Sequence, residues 1–399
     1  MNMILNTVIL LAQVESLVAI GCKRPYSPPA ITQPNNYLVV EGVIAAGQDS
    51  TIINLSRTVN VSSQTISNPE LGATVTVEGN QNVSYTLQPD SNGRYVSPPL
   101  NLDNSHQYRL HIVTADGKVY ESDYEPVKIT PPIDSLQEDI TNKGISLYTD
   151  AHDPTNNTRY YRWDYTETYI YQSEIESLFV YDPAAPDLQK SALRTPDQQV
   201  HTCYISLNSS TILLNSSAAL SQDVIQNNPI TFIPKDSEKI LHRYSIIVRQ
   251  YALTQEAYQF WTQLKRNTQQ IGTIFDVQPS EVQSNLHCIS DPSTPVLGYI
   301  SVSSVSTKRI FIDRSQLPAW PYPIPQCKPD TICWPRAAAS PPDELKSGIY
   351  IPLAPMDTTG ICEAELTPAY TLKVAYYTCA DCRFHLGGKT KKPDFWIDQ

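Results

Sequence analysis

The segment CADCRFH places Cys379, Cys382 and His385 at a spacing where sulfur and imidazole can do two kinds of chemistry. Thiolate and imidazole can ligate zinc, which takes about four such ligands, and His287-Cys288 offers a second half-set. A Cys-x-x-Cys dithiol can instead cycle with its disulfide, but such redox motifs open a helix in a βαβ unit. Nothing around Cys379 has that pattern, and each place supplies only half a zinc site. In an exported chain the same cysteines act as covalent staples, and that is the preferred reading. Cys327 with Cys333, and Cys379 with Cys382, are expected as local pairs, while Cys203, Cys288 and Cys362 are further disulfide candidates of open connectivity.

Two other clusters carry possible chemistry. In TRYYRWDYTETYIYQ, Tyr161, Trp163, Tyr165, Glu167, Tyr169 and Tyr171 recur at every second residue, so a strand sets them on one face. Such a face either fills a β-sandwich core or forms a stacking platform for sugars or peptides. Core packing is preferred. Because Glu167 interrupts the face, Tyr161, Trp163, Tyr165 and Tyr169 are kept as candidate ligand-binding residues. DAHDPTNN gathers Asp150, His152, Asp153 and Asn156, oxygens that calcium could use, although Asp-Pro and Asn-Asn more often shape a turn. No metal or cofactor is expected. The chain lacks G-x-S-x-G, H-E-x-x-H, P-loop and dinucleotide signatures, so it reads as a non-enzyme. Paired carboxylates for glycoside hydrolysis are a spatial feature that sequence does not display.

Composition limits the classes further. The 399 residues are enough for two or three cores, and a net charge of −11 with no basic cluster excludes nucleic-acid binding. With 24 Tyr, 32 Pro and only 14 Gly, the chain favours half-buried strands punctuated at their edges.

These elements must position the clusters. Short alternating segments between residues 37 and 129, among them YLVVEGVI, STIINLSRT and ATVTVEG, give about seven strands and predict an immunoglobulin-like β-sandwich over 35–130. Asp116-Gly117 predicts a type I′ hairpin. KITPPIDSL marks a boundary, followed over 135–399 by a larger, irregular β-rich domain with one or two helices and a Cys-rich tail. There, residues 144–172 read as two strands around a turn at Asp153-Pro154, and residues 297–313 as a hairpin. Within TQEAYQFWTQLKRNTQQIG, Thr254 suits an N-cap and Gly272 a stop. The fold class is thus mainly β. The closing Phe395-Trp396 pair is expected to dock on the body, since undocked termini are usually polar.

The N-terminus suggests an address. Ile4–Ile20 is apolar but short and interrupted, a secretory segment rather than a membrane span. Ala19-Ile20-Gly21-Cys22 resembles a bacterial lipobox, which implies a signal peptide over 1–21 and three acyl chains on Cys22. Several chains anchor stably where one does not. Residues 22–34, with Pro25, Pro28 and Pro29, read as a stiff tether. The alternative that Cys22 pairs in a disulfide stays open, because eight cysteines pair evenly and seven do not.

Several stretches together, CKRPY, LVVEGVI, RYYRWDYTETY, EKILHRYSIIVRQYALTQEAYQFWTQLKRNTQQIGTIFDVQPSEVQSNLHC, GYISVSSVSTKRIFI and CADCRFHLGGKTKKPDFW, resemble a family of Bacteroidota lipoproteins known only as domain of unknown function 4249. The resemblance implies a lipid-anchored outer-membrane protein, at the cell surface or the periplasmic face, associated with a TonB-dependent outer-membrane receptor. It implies no activity. The expected function is a non-enzymatic accessory or substrate-capture partner of that transporter. The alternatives are a surface glycan- or peptide-binding module or hydrolase, and a structural envelope lipoprotein.

Overall fold

Alternating burial builds the first strands. Leu38, Val40 and Ile44 of Leu38–Ala45 turn inward, as do Thr51, Ile53 and Leu55 of Ser50–Arg57, because successive strand residues point to opposite faces. The computed structural model describes residues 36–59, 68–90, 92–184, 191–269, 282–321, 323, 326–335, 341–357, 359, 361–362 and 367–397. Cys22 and the stretches expected as signal peptide (1–21) and tether (22–34) lie outside these residues.

The first module is mainly β, with its strands in one path of two layers over a core that includes Val75, Leu110, Ile112 and Tyr120. Strand Ser84–Pro89 pairs with Thr74–Gly79 on one side and Arg94–Pro99 on the other. That strand joins the two layers of the sandwich, which therefore approaches a closed barrel. The Asp116-Gly117 hairpin forms with a different turn. Only Gly117 takes positive φ, at +82°, whereas a type I′ turn needs it at both central residues.

Three strands from much later in the chain complete this module. Leu286–Cys288 pairs antiparallel with Val119–Ser122, and Val296–Gly298 and Ser301–Ser303 pair parallel with Leu38–Ala45. Gly298 lies at φ +134°, and a Cβ there would sit 2.1 Å from the Val40 carbonyl oxygen, so the close approach requires glycine. Residues 297–313 are consequently not a hairpin. Ser301–Ser303 belongs to the first module, while Val305–Asp313 pairs with Arg243–Ala252 in the second.

The second module is also two-layered. Ile133–Thr141, Gly144–Asp153 and Asp223–Pro234 form one sheet. Tyr160–Gln172 joins Thr202–Asn208, Leu213–Ser216, Arg243–Ala252 and Val305–Asp313 in the other. Ile145, Leu147 and Ile233 face Trp163, Tyr244 and Val248 across the core. Gly144–Asp153 and Tyr160–Gln172 thus sit in opposite layers rather than pairing around Asp153-Pro154. Helix Gln255–Gln269 starts where Thr254 Oγ1 accepts from the Ala257 amide at 3.2 Å; Gly272 lies outside the described residues. Ala257 and Phe260 of this helix pack with Tyr251 and Tyr299, wedging it between the modules. No helix among the described residues is long and apolar enough to cross a membrane.

A small third sheet around Thr367–Tyr376 carries its own cluster of Trp334, Leu345, Leu372 and Val374. The terminus docks: Trp396 is buried, with its ring edge-on to Tyr204 and Phe311 at 5.2 and 5.6 Å.

Candidate functional site

The sulfur clusters resolve into staples with long reach. Cys203 bonds to Cys382 across 179 residues and Cys327 to Cys379 across 52. The two expected local pairs are therefore replaced, because the fold brings sequence-distant strands together. Cys333 is disulfide-bonded as well, but not to Cys327. Cys288, a disulfide candidate by sequence, is a buried free thiol packed in the first core. Strand Ile361–Cys362 pairs with Thr367–Tyr376; the Cys362 side chain lies outside the described residues. With their sulfurs in disulfides, Cys379 and Cys382 offer no thiolate to zinc and no dithiol. His385 stacks on Tyr171 at 4.1 Å and meets Glu238 Oε1 at 2.8 Å through Nε2.

Asp153 is likewise spent on its own loop. It accepts hydrogen bonds from the amides of Thr155, Asn157 and Thr158, the turn role of such a residue. Burial works against its charge, yet the hydrogen bonds of Thr155 and Thr158 hold its carboxyl down at about 2. One triad has metal-like spacing: ligand atoms of Glu78, His111 and Glu121 lie within 4.8 Å of one another. Arg109 fills that place, donating to Glu78 at 3.0 Å and to Glu121 at 2.5 Å. A guanidinium already supplies the counter-charge a cation would bring.

The aromatic ladder is core. Tyr161, Trp163 and Tyr169 are fully buried and Tyr165 half-buried against the same core, and Trp163 and Tyr165 also border the intermodule cleft. Their polar atoms are satisfied inside, as burial demands: Tyr161 donates to Asp223, and Trp163 Nε1 donates to Gln250 Oε1 at 2.9 Å. Tyr169 donates to Glu238 at 2.8 Å. Glu167 interrupts the ladder because it is itself paired, accepting from Lys239 and from the Tyr244 hydroxyl.

Sequence reasoning missed the other face of the same strand. Arg162, Asp164 and Thr166 alternate with the aromatics, point away from the core and line a cleft of about 1180 Å³ between the modules. The signal was present as polar residues at every second position of YRWDYTE, but a partner for that face was not visible. The facing wall comes from strands Leu38–Ala45 and Ser50–Arg57, including Glu41, Ser50 and Asn54. On the second module's wall the side chains interlock. Arg249 donates to Asp164 at 2.6 Å and to Thr166 at 2.7 Å, and Thr166 donates to Asn208 at 2.8 Å. Arg162 approaches Asp164 at 3.5 Å and lies over the rings of Tyr251 and Trp261, at 4.6 and 4.5 Å from their centroids.

Hydrogen bonds join the modules beside the cleft. Lys128 donates its amide to Val302 and Thr130 to Ser304 Oγ, while Thr130 Oγ1 accepts from Ala252. Two chain passages are thus bonded side by side where the modules meet. A smaller pocket of about 440 Å³ lies beside the helix and contains Glu125. This buried carboxyl accepts from Asn285 and the Tyr299 hydroxyl, both at 2.9 Å. Burial, and then the nearby charges of Glu256 and Asp123, push its pKa up.

Among solved structures, the chain is similar to Salmonella alpha-2-macroglobulin mutant Y1175G at 10% identity and a TM-score of 0.18. That similarity covers 55% of this chain and 14% of the macroglobulin. The Yersinia pseudotuberculosis adhesin InvE is similar at 14% identity and a TM-score of 0.15, covering 55% of each chain. No curated protein matches the chain. The family described as a domain of unknown function, DUF4249, matches residues 23–309, which takes in both modules and stops before the disulfide-bonded tail. The chain belongs to the DUF4249 family.

Proposed function

We propose that this protein is a lipid-anchored, non-enzymatic capture protein of the outer membrane, which holds a solute in the intermodule cleft and delivers it to a TonB-dependent transporter. The observation that carries the reading is the cleft: about 1180 Å³, above the usual range for small-molecule sites. Its walls are paired β-sheets hydrogen-bonded to each other at the junction, an arrangement that limits the ordering cost of binding. The anchor reading draws on Cys22 at the end of the apolar run and on a family match that starts one residue later. From Cys22 to Asn36 an extended chain reaches about 50 Å, enough to hold the cleft close above a bilayer.

The test is extraction of the tagged chain from its own membranes in mild detergent. Co-purification of an outer-membrane β-barrel is expected, and Cys22→Ala should shift the chain to the soluble fraction. Isolation free of any barrel would count against delivery to a transporter.

A further inference from the structure

We propose that the cleft takes a neutral oligosaccharide, a proposal that rests on the capture reading and names its ligand class. Three features select this chemistry. The first is charge: the lining contains Arg94, Arg162 and Arg249 against Glu41, Asp49 and Asp164, which sum to zero. An anionic polymer needs an excess of cations and a cationic peptide an excess of carboxylates. Neither is present.

The second is the ladder Asn208–Thr166–Arg249–Asp164–Arg162, in which an amide, a hydroxyl, two guanidinium groups and a carboxylate are held in line by contacts of 2.6–3.5 Å. Planar groups so fixed present donors and acceptors side by side, the pattern that engages pairs of neighbouring hydroxyls. Tyr251 and Trp261 bracket Arg162 and hold its guanidinium plane, so the ladder is set before a ligand arrives.

The third concerns the backbone. Leu38–Ala45 is flanked by Ser50–Arg57 on one side and by Val296–Gly298 and Ser301–Ser303 on the other. Tyr160–Gln172 is flanked by Arg243–Ala252 and by Thr202–Asn208 with Leu213–Ser216. The central strand of each wall, Leu38–Ala45 and Tyr160–Gln172, is thus paired on both sides, and the edge strands Thr202–Asn208 and Val305–Asp313 reach the cleft only at Asn208 and Val305. An extended peptide that binds by strand addition needs an open edge along its length, and the two central strands offer none. Side-chain recognition of hydroxyls remains.

The experiment is titration calorimetry of the full-length lipidated chain in detergent. The probes are malto-, cello-, laminari- and xylohexaose, with an oligogalacturonate and an uncharged hexapeptide for comparison. At least one neutral hexasaccharide should bind with a Kd on the order of 0.1 mM. Asn208→Ala, at an exposed rim position, should weaken it about 2- to 10-fold, the effect of one lost hydrogen bond. Arg249→Met should weaken it more; if that variant does not fold, Thr166→Val serves in its place. Binding by none of the four neutral sugars, or binding indifferent to Asn208 and Thr166, overturns the proposal. Binding of the peptide or the uronate alone overturns the ligand class and leaves capture standing. A silent panel together with absence of a co-purifying barrel removes capture as well.

Discussion

Arg162 lies between Tyr251 and Trp261, with its guanidinium carbon 4.6 Å from one ring centroid and 4.5 Å from the other. Tyr251 belongs to the strand next to Arg162, and Trp261 to the helix wedged at the module junction. One side chain therefore couples the cleft wall to the helix packed at the module junction.

Arg162→Lys should lower stability by about 1–2 kcal/mol in urea unfolding, because an ammonium keeps the charge but gives up the planar faces. Loss of less than about 0.5 kcal/mol would mean that the stack is incidental.

Asp153→Asn should act in a pH-dependent way. The folded carboxyl, at about 2, lies below its ordinary value of 3.8, so the stability it contributes is present above the ordinary value and lost as pH falls through the folded one. The variant should be about 1–2 kcal/mol less stable at pH 6. That gap should close between roughly pH 4 and 2. A gap independent of pH would contradict the assignment.

Glu125→Gln should show the opposite slope. Burial raises the Glu125 pKa, so the folded chain holds the proton more tightly than the unfolded chain and stability falls as pH rises through that window. Gln keeps an acceptor for Tyr299 and Asn285 without the buried charge. The variant should therefore gain on the native chain as pH rises, measured as the difference between their urea midpoints from pH 4 to 8. A difference that shrinks or reverses would show that Glu125 is stabilised as a carboxylate.

Peptide mapping without reduction should recover Cys203 joined to Cys382 and Cys327 joined to Cys379, with Cys288 alkylated only after unfolding. Cys203→Ser with Cys382→Ser should cost about 2–5 kcal/mol, since of the two described bonds it closes the longer loop. Recovery of a Cys379–Cys382 peptide would refute this topology.

Local chemistry was legible where local chemistry decides. Thr254 does cap the helix, and the alternation in Leu38–Ala45 and Tyr160–Gln172 does give strands. What sequence could not carry is non-local. The parallel return of Val296–Ser303 onto Leu38–Ala45 leaves no trace in turn residues, and the partner of Cys203 sits 179 residues away. The candidate site failed for a related reason. Both faces of Tyr160–Gln172 carry large or charged side chains, and only the packing of the second layer against Tyr161 and Trp163 decides which face is left for Arg162 and Asp164.

Anchorage is the premise on which capture for a membrane transporter depends. Mass spectrometry of the N-terminal peptide from the protein purified out of its own membranes tests it most directly. The predicted result is a chain that starts at Cys22 and carries the mass of three acyl groups on that residue. A chain that starts elsewhere, or an unmodified Cys22, would contradict it.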